Sequence, residues 1–245
     1  SIKSKDFPLF DSQSRFTDDT VLTLAVAEAI LTGEPYCDCV RSIGRRYPGA
    51  GYGGNFRQWL FSDESAPYNS WGNGSAMRVG AVGLAFDDEA TVLREARESA
   101  AITHNHPEGI KGAQATALAI YMARHGISKE SIRREISRRF DYDLDRRIDE
   151  IRPDYSFDVS CQGSVPEAII AFLDSESWED TVRNAVSLGG DADTLACIAG
   201  GIAQAWYGDI GGDVRSRVEA LLPPDLLDVL QRFETRYGFR KRREF

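Results

Sequence analysis

In "RFTDDTVLTLAVAEAIL", residues 15–31, apolar side chains recur every three or four positions with alanine between them, and this spacing repeats along most of the chain. It matches the helical turn, whereas the strict alternation of a half-buried strand is nearly absent. Such a chain must bury its apolar faces helix against helix. The expected fold is all-α, a compact helical bundle forming a single domain over residues 1–245. The pattern predicts helices at 18–32, 37–47, 54–61, 74–86, 88–101, 110–125, 129–139, 165–174, 178–187, 193–207, 214–221 and 224–237. Ser128, Ser164 and Ser177 mark helix starts, and Gly126, Gly208 and Gly238 mark stops.

Composition narrows the function classes. Hydrophobic residues make up 42% of the 245, enough for a sizeable core, and no apolar run reaches membrane-spanning length. No secretory leader is recognisable, and Cys37, Cys39, Cys161 and Cys197 lack the spacing of a zinc site or a disulfide frame. The expected location is cytoplasmic, with reduced thiols. A formal net charge of −9 disfavours a general binder of nucleic-acid backbones, although a local helix end can still hold a small anion. The one dense basic stretch, 240–243, reads as a solvated tail or weak surface contact.

Two segments open with crowded carboxylates. "TDDTVLTLAVAEA" at 17–29 is echoed by "DADTLACIAGGIA" at 191–203, each placing two aspartates and a threonine before an alanine-rich helix. If the two helix starts converge, Asp18, Asp19, Asp191 and Asp193 raise one another's pKa, and divalent cations that favour hard oxygen donors resolve the conflict. Thr17 and Thr194 add oxygens. The alternative is two separate N-caps, each with a surface aspartate beside it.

Polar loops supply further candidates. In "NSWGNGSAMRVGAVGLAF", 69–86, Gly72 and Gly74 free the backbone before a helix whose bare N–H groups suit a phosphate, with Ser70, Asn73 and Ser75 as neutral donors; a tight loop with a serine cap is the plainer reading. "ITHNHPEG" carries His104 and His106 without the companions of a zinc site, so hydrogen bonding to a ligand or to backbone is the expectation. His125 complements a helix C-terminus, and Glu167 and Glu179 read as scaffold.

Taken together, "FTDDT", "GNGSAMR", "THNHP" and "GGDADTLACIAGGIAQAWYG", in that order over residues 16–208, resemble the ADP-ribosylglycohydrolases. The resemblance implies a dinuclear site with two divalent cations, Mg2+ or Mn2+, and hydrolysis of the glycosidic bond between ADP-ribose and an acceptor. By position it implies that Thr17, Asp18, Asp19, Asp191, Asp193 and Thr194 hold the metals. Ser70, Gly72, Asn73, Gly74 and His104 would contact ADP-ribose, and Asp19 or Asp191 would transfer a proton. Tyr68 and Tyr155 are candidates for stacking on the adenine. The implied partners are an ADP-ribosylated protein or small molecule, with no membrane. Nucleic acid is disfavoured, although an ADP-ribosylated nucleobase stays open. Family members usually begin with a Gly-Asp-x-x-Gly helix ending in a glutamate near the metals. "SIKSKDFPLF" resembles the segment just after it, so that helix and glutamate are expected to be missing from residues 1–245. A non-catalytic ADP-ribose or nucleotide-binding module is the competing reading. A structural protein reusing the fold, as some lens crystallins resemble this family, is disfavoured by the intact acidic motifs.

Overall fold

The structure, a computed structural model, describes residues 2–208 and 210–238. Among the described residues every regular element is a helix, with no strand and one isolated antiparallel bridge, Gly72 with Ser160. The basic stretch at 240–243 lies outside them. The first half holds α1 (Asp18–Thr32), α2 (Tyr36–Arg46), α3 (Gly54–Phe61), α4 (Gly74–Met77), α5 (Gly80–Ala85), α6 (Glu89–Ala101) and α7 (Pro107–Arg124). The second holds α8 (Lys129–Phe140), α9 (Ile148–Ile151), α10 (Cys161–Leu173), α11 (Trp178–Ser187), α12 (Ala192–Tyr207), α13 (Gly212–Leu221) and α14 (Pro224–Tyr237). None is long and apolar enough to cross a membrane.

Helix α7 organises the packing because most of residues 112–123 are buried, on nearly every side of the helix. Its Ala115, Leu118 and Ile120 join a core built with α8, α10, α11 and α12, while Ala113 and Ala117 join a second core built with α1, α2, α3, α5, α6 and α14. Small residues let the neighbours close in. A Cβ at Gly83 of α5 would stand 2.6 Å from the Ala117 carbonyl oxygen and 2.7 Å from Ile120 Cβ, and one at Gly112 would strike Cys161 Sγ. These contacts are backbone-close, so α5 and α10 are held to α7 by shape as much as by apolar area.

Several predicted boundaries shift for identifiable reasons. The predicted helix 74–86 is broken at Arg78 and Val79 into α4 and α5. Helix α10 begins four residues early because Ser160, not Ser164, caps it by accepting from Gly163 N, and Pro166 is accommodated inside. Ser164 instead takes a hydrogen bond from Asn73 Nδ2 at 3.1 Å. The short α9 falls in a stretch expected to be irregular. Ahead of α1, residues 2–14 form a strap with no helix. Lys3 Nζ donates to the carbonyls of Arg152 (2.8 Å), Tyr155 (2.5 Å) and Leu188 (2.6 Å), and Arg183 donates to those of Lys5 and Phe7.

Candidate active site

The starts of α1 and α12 face one another across a cavity of about 420 Å3. Asp18 opens α1 after Thr17, whose extended backbone fits an N-cap position, yet Thr17 makes no side-chain cap; its hydroxyl donates to Asp19 Oδ2 at 2.9 Å. The Asp18 N–H is used by the Ala50 carbonyl at 2.8 Å. Across the cavity, Gly189 and Gly190 turn the chain with φ of 72° and 67° before Asp191. A Cβ at Gly190 would meet the Ser156 carbonyl oxygen at 2.9 Å, so this turn requires glycine both for its φ and for its contact with the 155–156 backbone. Asp191 Oδ2 accepts from Asn73 Nδ2 at 2.7 Å, which ties α12 to the glycine loop.

The four aspartates feel one another. Burial raises the Asp18 carboxyl to about 6, with Asp193 and Asp191 adding repulsion. Burial raises Asp19 to about 7, with Asp193 and Asp18 the next contributors. Asp191 is raised as well, by burial and by Asp193. Asp19 is 5% exposed, and its Oδ1 is buried with no hydrogen-bond partner. A buried carboxylate oxygen without a donor is costly, and the aspartates and threonines nearby offer hard oxygens, with the Cys197 thiol also against Asp19. The arrangement therefore fits a divalent cation, although among the described residues no three His, Cys, Asp or Glu side chains already stand as a ligating group. Asp18, Asp191, Asp193 and Thr194 line the cavity; Thr17 and Asp19 lie behind it.

The wall formed by the glycine loop is rich in donors. Ser70, Gly72, Asn73 and Gly74 line it, and the Gly72 N–H is occupied by Ser70 Oγ at 3.1 Å. His104 closes this wall, its Nδ1 2.7 Å from Thr103 Oγ1; burial, then the Arg78 charge, holds its pKa well below the usual histidine range. His106, by contrast, caps α7 by accepting from Glu108 N at 3.1 Å and does not line the cavity. His125 caps the C-terminus of α7 and contacts the Tyr121 carbonyl through Nδ1 at 2.8 Å. Glu167 is paired with Arg146. Tyr68 lines the cavity, whereas the Tyr155 hydroxyl is turned to the Gly163 carbonyl at 2.9 Å.

Sequence reasoning missed four contributors. Arg78 is 0% exposed and borders the cavity, and the clue was a lone charge in the apolar run "SAMRVGAV". Thr103, next to His104, is fully buried. Phe157 also lines the cavity yet is 69% exposed, and Trp71 beside the glycine loop is 53% exposed. No local pattern announces Phe157, which lies three residues before the bridge partner Ser160.

Comparisons with known proteins agree with this fold. A sequence model of the ADP-ribosylglycohydrolase family matches residues 2–240. The ADP-ribosylhydrolase ARH3 of Mus musculus is 28% identical over 258 residues, covering 79% of this chain and 70% of that protein. The ARH3 of Homo sapiens is 29% identical over 257 residues, covering 79% and 71%. A solved structure described as an ADP-ribosylglycohydrolase-related protein complex superposes with a TM-score of 0.69 at 26% identity, covering 90% of this chain and 81% of that one. A helical scaffold and a match over nearly the whole length lead to one assignment: the chain belongs to the ADP-ribosylglycohydrolase family of glycosidic-bond hydrolases.

Proposed function

We propose that this chain hydrolyses the glycosidic bond between ADP-ribose and an acceptor, reversing ADP-ribosylation of a protein or small molecule. The observation that carries the reading is the meeting, in one cavity, of a cluster of carboxylates with a donor-rich loop. Asp18, Asp191 and Asp193 line it together with the 70–74 loop and His104. A ligand that joins a hydroxyl-rich sugar to phosphates matches those two kinds of group.

Thr17, Asp18, Asp19, Asp191, Asp193 and Thr194 would hold two divalent cations, magnesium or manganese, and the orphaned Asp19 Oδ1 is the atom that most needs one. Such cations supply charge neutralisation and Lewis acidity beside the sugar. The protein's own residues do the rest. Asn73 fixes Asp191 by its 2.7 Å hydrogen bond, so the carboxylate is pre-oriented. Of the two proton-transfer candidates, Asp191 lines the cavity and Asp19 does not, so Asp191 takes the proton from the attacking water. Ser70, Gly74 and His104 bind the phosphate end, while Gly72, its N–H already taken by Ser70, leaves room for it. The exposed Phe157 ring in the cavity lining, with Trp71 beside the glycine loop, offers a face for the adenine.

An acceptor panel tests this. Arginine-, serine- and nucleobase-linked ADP-ribose, with magnesium or manganese, should yield free ADP-ribose from at least one linkage, and chelation should abolish release. Tight ADP-ribose binding with no release from any linkage would instead make the protein a binding module.

A further inference from the structure

Arg78 is a charged side chain sealed into the protein with no carboxylate to balance it. Among the described residues it forms no ion pair, and its Nε and Nη1 are buried without partners. Its Nη2 is the group that is used, donating to the Ser99 carbonyl at 2.9 Å and to Thr103 Oγ1 at 2.9 Å. The same Thr103 oxygen lies 2.7 Å from His104 Nδ1.

Proton counting along this chain has one solution. A guanidinium only donates, so Thr103 Oγ1 accepts from Arg78. Thr103 is fully buried, and its hydroxyl has one proton to place. If His104 carried its proton on Nδ1, Oγ1 would accept twice and its own proton would be left buried without an acceptor. The hydroxyl therefore donates to Nδ1. The groups facing His104 are Arg78, Thr103 and the Tyr68 ring, 6.1 Å away centroid to centroid, and none is an anion that would stabilise an imidazolium. A neutral ring that accepts at Nδ1 has its proton on Nε2. That nitrogen points at the glycine loop: a Cβ at Gly74 would stand 3.2 Å from it, and one at Gly72 3.5 Å. The two glycines leave it uncovered.

We propose that Arg78 and Thr103 are positioning residues that lock His104 as a neutral Nε2–H tautomer, presenting a fixed donor to a phosphate oxygen of the bound ligand. The identity of that ligand rests on the function proposed above; the tautomer does not. The unbalanced Arg78 charge behind the ring works in the same direction, since it strengthens the pull of the Nε2–H on an anion.

The experiment is 15N spectroscopy of histidine-labelled, ligand-free protein, with His104→Gln used to assign the resonance. The expected spectrum has a protonated Nε2 and an accepting Nδ1. Thr103→Val removes the hydroxyl with little change of shape. It should move the proton to Nδ1 or mix the tautomers, and weaken ADP-ribose binding about tenfold. Thr103→Ser should restore both. A proton on Nδ1 in the unmodified protein overturns the proposal, as does a Thr103→Val protein whose tautomer and affinity are unchanged. Should Thr103→Val not fold, the unmodified spectrum decides alone. If the tautomer is as expected but ADP-ribose does not bind with or without cations, the proposed function and the phosphate assignment fall, while the lock on His104 stands.

Discussion

At the scale of single residues, the aspartate pair at the start of α1 sets how the site responds to pH and to metal. Asp18 and Asp19 titrate at about 6 and about 7 in the folded chain, above their ordinary 3.8. The folded state therefore holds more protons than the unfolded one between these values, and stability drawn from this pair is lost as pH rises through that window. Measured as the difference between the protein and its Asp18→Asn/Asp19→Asn variant, metal-free melting temperature should fall from pH 4 to pH 7. Added manganese or magnesium should reverse the loss, most strongly above pH 7, and have little effect below pH 6, where protons compete for the same oxygens. Asp19→Asn alone should stabilise the metal-free protein at pH 8 by about 1–2 kcal/mol and abolish the metal-induced shift. Thermal denaturation with and without cation checks both, and a retained metal shift in Asp19→Asn would remove Asp19 from the site. These aspartates were legible in the sequence because crowded like charges demand a reason. Arg78 was not, because a single arginine in an apolar run looks the same whether its head reaches solvent or is sealed inside.

At the scale of elements, the best-marked helices were also the most readable. The bounds of α1, α3, α11 and α14 match the sequence pattern residue for residue, and Ser177 caps α11 as expected by accepting from Asp180 N. In each case an apolar rhythm runs between clear ends. The break between α4 and α5 had only a weak signal, since Met77 and Arg78 are good helix residues and Val79 costs only a few tenths of a kcal/mol; inward placement of Arg78 is a tertiary demand that local propensity does not encode. Helix α10 starts ahead of the predicted cap at Ser164, and it carries Pro166 in its second turn. The glycines inside helices are where elements meet. Gly83→Ala should cost about 1–3 kcal/mol by forcing α5 away from α7, measured by denaturant unfolding, against a gain from helix propensity alone if the space were open.

At the scale of the whole molecule, distant stretches of chain are tied to the cavity by a few polar clasps. The strap at residues 2–14 ends far from Asp191 in sequence, yet Lys3 holds the carbonyls of Tyr155 and Leu188, which flank the two sides of the Gly189–Gly190 turn. Lys3→Met should lower stability by about 1 kcal/mol and speed amide exchange in 152–160 and 188–191 while leaving α7 unaffected, as hydrogen-exchange mass spectrometry would register. Uniform acceleration across the chain would show that the strap supports the fold generally and not this corner. The sequence carried the helical class and the two acidic openings, but not these clasps, because a lysine donating to three carbonyls leaves no periodicity behind.

The bridge between Gly72 and Ser160 has a consequence for how such a protein can diversify. It is made by backbone alone, with Asn73 N–H on the Val159 carbonyl at 2.7 Å and Cys161 N–H on the Trp71 carbonyl at 2.9 Å. Peptide groups are indifferent to the side chains they carry. Positions 71, 157 and 159 can therefore be rewritten through single substitutions while the loop that bears Asn73, and through it Asp191, keeps its place. The rim is open to drift and selection, and the acidic floor is insulated from both.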